Sequence, residues 1–437
     1  MEIIKNLYKS ESQGILFFNL GIFLLPSAFP LGAFSVIVAL VISIVNNRKT
    51  FLKDKFNYPL LICTGIFLTS SLNNTLTFYK EINNQSSDSL FISKEYISNI
   101  WIDLFNWLPF LLIFWSLQFY INTNEKRCLF ARSLIAGTVP VLISCIGQYW
   151  FEWTDKLSTL NGLIVWYQKD IEMISGLFSN PNYAGCWLAM SWPFSYFLIF
   201  ETDKFPIKKF ITILISLLIL YFTIMTSSRN ALIGIIFSSI LLIKVKFILL
   251  ALSLILLLIL ISIYSNLIIP TEIIENFREY LPKSLIYKFS KFDFMNFLNF
   301  PRIDIWKTSI KVIIKSPIFG WGAGTFSILY LFYGGMYKSI GVTHTHNFFL
   351  EIANNYGLPL AIIITLFIGN LFIRLFQAKN QIFKTNNIDR AWLASSGVAI
   401  IFFSTDMPYY DGKISLIFWI LLSGIKCIGD NKTSSLN

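Results

Sequence analysis

Histidine is nearly missing from this sequence: 437 residues hold two, His344 and His346, two positions apart. Cysteine is sparse as well. Cys63, Cys128, Cys145, Cys186 and Cys427 form no C-x-x-C pair and their total is odd, which excludes a disulfide framework and a thiolate metal site. Charge is scarce at 14% of residues, against about 25% in soluble domains, so an ordinary soluble globular domain is excluded. The glycine-dense stretch "GWGAGTF" (320–326) has no Lys-Ser or Lys-Thr after it at Walker spacing, so it reads as a flexible turn and not as a phosphate-cradling loop.

What fills the chain is apolar: 55% hydrophobic residues, 17% aromatic. A hydrocarbon core about 30 Å thick needs roughly 20 apolar residues per helical span, and about twelve such runs occur. Two lie within Gly14–Val45, joined by a turn at "PSAFP". Others lie near residues 57–72, 101–121, 129–149, 182–200, 210–227, 229–243 and 246–269, and after a long break near 348–374, 391–405 and 413–428. The pattern predicts an all-α, multispanning fold of about 12 transmembrane helices, a single integral membrane domain over 1–437, with a large, partly helical loop at 270–349 between spans nine and ten.

Positive charge collects on cytoplasmic loops, and with an inside N-terminus those loops hold 20 of the 35 Lys and Arg, against six on the short outer loops. Both termini are therefore expected in the cytoplasm. Lys5 and Lys9 ahead of an apolar run mimic a secretory signal, yet no small-residue cleavage site follows, so this run reads as a retained first span. The net charge of +11 follows from topology and an anionic inner leaflet, so membrane lipids are the expected partner and nucleic acid is not.

Three outer segments are long. Residues 73–100 read as a polar Asn- and Ser-rich loop, and 150–181 mix acids with aromatics before an Asn-Pro-Asn turn signal. In the third, "RIDIWKTSIKVIIKSP" (302–317) places Ile303, Trp306, Ile310 and Ile313 on one helical face and Asp304, Lys307, Lys311 and Lys315 opposite, an amphipathic helix suited to the membrane interface and ended by Pro317.

The histidines stand where this loop re-enters the membrane. Imidazole suits proton acceptance from a hydroxyl near neutral pH, and a helix starting near Asn347 would favour the neutral ring. An interfacial histidine that merely caps the helix is the alternative. H-x-H could also give a metal two ligands, with Glu351 the nearest candidate third, although no spacing points to one; no metal and no cofactor are expected. Arg229, in "TSSRN" between two spans, and Arg302, opening the amphipathic helix, carry planar donor forks matched to phosphate oxygens; pairing with lipid headgroups or loop carboxylates is the other reading.

"HNFFLEIANNYGLPL" resembles the signature of the O-antigen ligase and O-antigen polymerase superfamily: His346, the amide Asn347, nine residues, Gly357, two residues, then Leu360 where the family carries Gly, Thr or Val. "RIDIWKTSIKVIIKSPIFGWGAGTF" is similar to the family's Arg-plus-Trp helix and glycine turn, "TSSRNALIG" to its arginine at a span boundary, and "GLFSNPNYAG" is a softer match. The resemblance implies a GT-C-like, metal-independent, inverting glycosyltransferase of the bacterial inner membrane. Its donor would be a glycan on undecaprenyl pyrophosphate, its acceptor a glycan or lipid A core hydroxyl on the periplasmic face. His346 would be the base and Arg229 and Arg302 the pyrophosphate ligands, with His344, Asn347, Glu351 and Gly357 in support. The absence of acids in "PSAFP" and of any D-x-D agrees with metal independence. A small-anion transporter of the bicarbonate type is the competing class; it would keep ionisable groups near the bilayer midplane, whereas Asp103, Arg229, Glu351 and Asp406 fall near span ends.

Overall fold

The structure is a computed structural model that describes residues 2–83, 94–153, 157–162, 164–166, 173–202, 205–243, 301–336, 341–377 and 387–434. The span predicted at 246–269 and residues 270–300 of the long loop lie outside the described residues. Helix accounts for about 82% of what is described, and the chain is an all-α membrane protein. Six helices among the described residues are long and apolar enough to cross a membrane: Phe29–Phe51, Tyr96–Tyr120, Asn124–Trp150, Pro206–Met225, Leu358–Leu375 and Gly412–Asn431. That number does not by itself reach the expected twelve.

The chain divides into two compact units. The first, Met1–Ala39, Tyr120–Asp293 and Gln381–Ile401, contains α1 (Glu2–Leu24), the start of α2 (Phe29–Asn47), α6 (Asn124–Trp150), α7 (Pro181–Glu201), α8 (Pro206–Met225), α9 (Arg229–Leu242) and most of α14 (Asn387–Thr405). Two of its helices, α6 and α7, begin where a side chain meets an orphan N–H group of the first turn. Thr123 accepts from the Lys126 amide to cap α6, and Asn180 accepts from the Asn182 amide ahead of Pro181 in α7. Gly137 lets α6 press on α1, because a Cβ there would lie 2.6 Å from the Phe23 carbonyl oxygen. Arg127, 1% exposed, joins α6 to α14 through Asp389 at 2.9 Å and also donates to the Ile121 carbonyl, so neither buried charge is left uncompensated. The segment 150–181 carries a short antiparallel ribbon, β1 (Leu157–Thr159) with β2 (Ile164–Trp166).

The second unit, Leu40–Phe119, Phe294–Asn380 and Phe402–Asn437, contains α3 (Asn57–Asn83), α4 (Lys94–Asp103), α5 (Leu108–Ser116), α10 (Pro301–Lys315), α11 (Phe326–Phe332), α12 (Phe348–Tyr356), α13 (Leu358–Gln377) and α15 (Gly412–Ser434). Its centre is aromatic: Trp107 stacks on Tyr409 at 4.4 Å and Phe348 on Phe403 at 5.6 Å. Asp103 lies among these rings and accepts from Tyr356 Oη (2.6 Å), Asn106 Nδ2 (2.8 Å) and Trp107 Nε1 (3.0 Å).

Three expectations need correction here. The polar loop over 73–100 is largely helix, since α3 runs to Asn83 and α4 starts at Lys94. The span at 348–374 is two helices, α12 and α13, broken at Gly357, whose φ of 96° only glycine adopts readily. A Cβ at Gly357 would lie 2.0 Å from the Ile318 carbonyl oxygen, so backbone contact at the break also demands glycine. The "GWGAGTF" turn is pinned against this break. Trp321 N donates to Asn354 O (2.7 Å) and Gly322 N to Asn355 O (3.0 Å), which satisfies carbonyls that the end of α12 leaves open, and Leu358 N, at the start of α13, donates to Pro317 O (2.8 Å).

α10 forms as predicted but is rotated. Asp304 is buried with Ile305, Thr308, Ser309, Val312 and Ile313, whereas Ile310 is exposed. Asp304 leaves the polar face because it accepts from Tyr330 Oη and from Met336 N, tying α10 to α11 and the turn beyond. Ser309, small and polar, admits Asn354 of α12 as a hydrogen-bond partner.

Candidate active site

α12 begins where the sequence places it. Asn347 is extended, and its Oδ1 accepts from the Leu350 amide at 3.0 Å, the geometry of a side-chain cap. Its Nδ2 donates to the Ser404 carbonyl at 2.8 Å, so the same amide fixes the start of α12 to the end of α14.

His346, just before this cap, has φ 52°, the left-handed region that non-glycine residues enter at a cost. The neighbouring contacts hold it there. Thr345 is fully buried and its N–H and Oγ1 both reach Glu351 Oε2, at 2.8 and 2.9 Å. Glu351 Oε1 in turn accepts from Tyr410 Oη (2.8 Å) and from Asn355 Nδ2 (3.3 Å). One buried carboxylate therefore grips both the histidine loop and the 408–410 turn.

That turn follows Asp406, which is 3% exposed. Asp406 Oδ1 lies 2.9 Å from His346 Nδ1 and accepts from Met407 N at 2.9 Å, while Oδ2 lies 3.4 Å from Arg302 Nη2. Burial pushes the Asp406 carboxyl up, but the hydrogen bond from His346 and the Arg302 charge outweigh it and hold the group below the usual carboxylate range. A carboxylate at Nδ1 fixes the tautomer that donates from Nδ1, and Nε2 keeps its lone pair. The imidazole side chain is 29% exposed and that of Arg302 is 32% exposed, so both retain a face for a ligand. His344 packs on His346, ring centres 4.3 Å apart; burial lowers its basicity and the neighbouring His346 adds to the effect.

The structure thus gathers His344, His346, Asn347, Glu351 and Arg302 in the second unit, with Gly357 ending the helix that carries the cap. Arg229 belongs to the first unit. It is the first residue of α9, after a buried Thr226-Ser227-Ser228 turn in which Ser227 has φ 54°. Asp406 was legible in the sequence only as an acid at a span end; its one signal is its place directly after an apolar run, before Met407 and Pro408.

His344, His346 and Asp406 bring three donor atoms within 4.8 Å of one another, a set that a dication such as zinc could use. Glu351, the third ligand the sequence suggested, is committed to Thr345, Tyr410 and Asn355. At Asp406, both oxygens already face N–H donors, one of them a guanidinium, so the carboxylate charge is met without a metal. The donor set suits a proton-accepting dyad better than a metal centre.

Residues 214–365 match a family model described as O-antigen ligase. Over that stretch the chain is similar to the O-antigen ligase family. The matched stretch takes in Arg229, Arg302, His344, His346, Asn347, Glu351 and Gly357, and Asp406 falls beyond its end. No curated protein matches the chain. The O-antigen ligase match supports a membrane glycosyl-transferring ligase or polymerase as the enzyme type.

Proposed function

We propose that this protein transfers a glycan from undecaprenyl pyrophosphate to an acceptor hydroxyl at the periplasmic face of the bacterial inner membrane. The acceptor is a lipid A core sugar if the enzyme is a ligase, or a growing repeat unit if it is a polymerase. The observation that carries this reading is the chain Arg302–Asp406–His346 at the start of α12, which sets an oriented imidazole beside a guanidinium.

His346 Nε2 takes the proton as the acceptor oxygen attacks the anomeric carbon, and Asp406 stabilises the imidazolium that forms. The bond from the anomeric carbon to the phosphate oxygen breaks, the electron pair leaves with undecaprenyl pyrophosphate, and attack opposite the leaving group inverts configuration. Arg302 uses donors not directed at Asp406 to meet the developing phosphate charge, and Arg229 is assigned the same role. Pyrophosphate is a good leaving group, so fixed cations and one base suffice without a metal.

Reconstitution with lipid-linked glycan tests this. His346→Ala is expected to abolish transfer in a protein that still folds, and chelators are expected to leave the wild-type rate unchanged. Full transfer by His346→Ala would remove the base assignment, and ion flux without transfer would favour the small-anion transporter.

A further inference from the structure

At the far end of the second unit from His346 lies an open groove of about 630 Å³ that the transfer chemistry does not use. Its apolar wall includes Phe56, Leu366 and Phe367, and its polar end holds Lys55, Asn370 and Arg374. The volume falls in the roughly 300–1,000 Å³ range of ligand sites, but the wall is continuous with an outward face where Ile362, Leu366 and Ile373 are exposed. In a membrane protein such a face meets acyl chains.

The depth of the groove is fixed by its helices. α13 starts at the Gly357 break beside the site and rises about 1.5 Å per residue, so Arg374 lies roughly 24 Å along from Leu358. α3 gives the same measure in reverse: Ser70 bonds to the Tyr356 carbonyl and Asn74 to the Phe319 carbonyl, whereas Lys55 precedes its first residue. The cations therefore stand close to one hydrocarbon thickness, about 30 Å, from the histidine end, at the level of the opposite leaflet's headgroups.

Charge decides the class of occupant. Lys426 lies 2.8 Å from Asp54 and 3.2 Å from Asp430 and so neutralises much of the local acid. Arg374 is spread over the Phe56 ring at 4.8 Å, with only a long 3.7 Å pairing to Asp430, both side chains well exposed. Lys55 has no ionic partner among the described residues. An ammonium and a guanidinium at the end of an apolar trough, with the Asn370 amide also in its lining, match one phosphate diester attached to acyl chains. We propose that this groove binds an anionic glycerophospholipid from the leaflet opposite the one that His346 serves.

The test places full-length protein in nanodiscs of equal phosphatidylglycerol and phosphatidylcholine, extracts it into mild detergent, and counts retained lipids by native mass spectrometry. Wild type is expected to keep one phosphatidylglycerol at least tenfold over phosphatidylcholine. Lys55→Ala with Arg374→Ala should abolish that preference. Leu366→Trp, at an exposed position that tolerates a large ring, should reduce retention of the lipid with both charges intact. Equal retention of the two lipids by wild type, an unchanged preference in both variants, or displacement by millimolar inorganic phosphate alone would overturn the proposal.

Discussion

Asp103 and Asp406 are both buried carboxylates of the second unit, 7% and 3% exposed, each at a helix end, and they are met by partners of different chemistry. Asp103 is met by an indole, an amide and a phenol, neutral donors that keep their protons near neutral pH. Asp406 is met by an imidazole and a guanidinium, one able to change charge and the other able to take a second anion. Burial alone therefore does not mark a functional acid. What marks it is a partner that is itself part-exposed and can titrate or bind.

The sharpest break of that comparison is Asp406→Asn. The neutral amide stabilises an imidazolium far less than a carboxylate does, and with its oxygen kept where His346 and the Met407 amide both donate, it turns its NH2 against the Arg302 guanidinium. Transfer is expected to fall by about 10²–10⁴-fold, the range a positioned general base contributes, mainly in kcat. Asp406→Glu should recover part of the loss. An Asn variant with wild-type kcat would reduce Asp406 to a structural acid like Asp103.

Much of this was legible from local chemistry. Asn347 announces a helix start because a capping side chain and an apolar run are neighbours in sequence, and the structure begins α12 there. The break at Gly357 was visible as a motif position but not as a break, because both flanking segments are apolar and their separation depends on the distant backbone of 317–322. The faces of α10 were assigned from periodicity, which is blind to a buried aspartate that finds a tyrosine 26 residues later. Asp406 escaped for the same reason, its histidine partner being 60 residues away.

Glu351 stands between the two acids, buried like Asp103 yet one step from the dyad. All four of its hydrogen bonds, two from Thr345 and one each from Tyr410 and Asn355, are donated to it, so a glutamine amide there places donor against donor unless Tyr410 turns its hydroxyl to accept. Glu351→Gln is expected to cost about 10-fold in kcat, a loss of orientation equivalent to about 1.4 kcal/mol in the barrier. Glu351→Leu leaves buried donors unmet, at about 1–3 kcal/mol each, and should lower the thermal midpoint in detergent as well as the rate. If Gln and Leu lowered the melting midpoint but left kcat per folded molecule unchanged, Glu351 would belong with Asp103.

The smallest effect on transfer is expected at Asp103 itself. In Asp103→Asn the amide oxygen can take the Oδ2 position and still accept from Trp107 and Tyr356, and Asn106 can turn its own amide so that its oxygen accepts from the new NH2. The loss should appear as stability, about 1–3 kcal/mol for one imperfect buried hydrogen bond, read as a lower thermal midpoint. Tyr356→Phe should lower it by removing a donor from the same carboxylate. Transfer per folded molecule should stay at the wild-type level in both, because neither change touches the loop that holds His346 or the turn that carries Asp406. A drop in kcat without a drop in midpoint would mean that this neutral network also orients the dyad, and that the division between the two carboxylates fails.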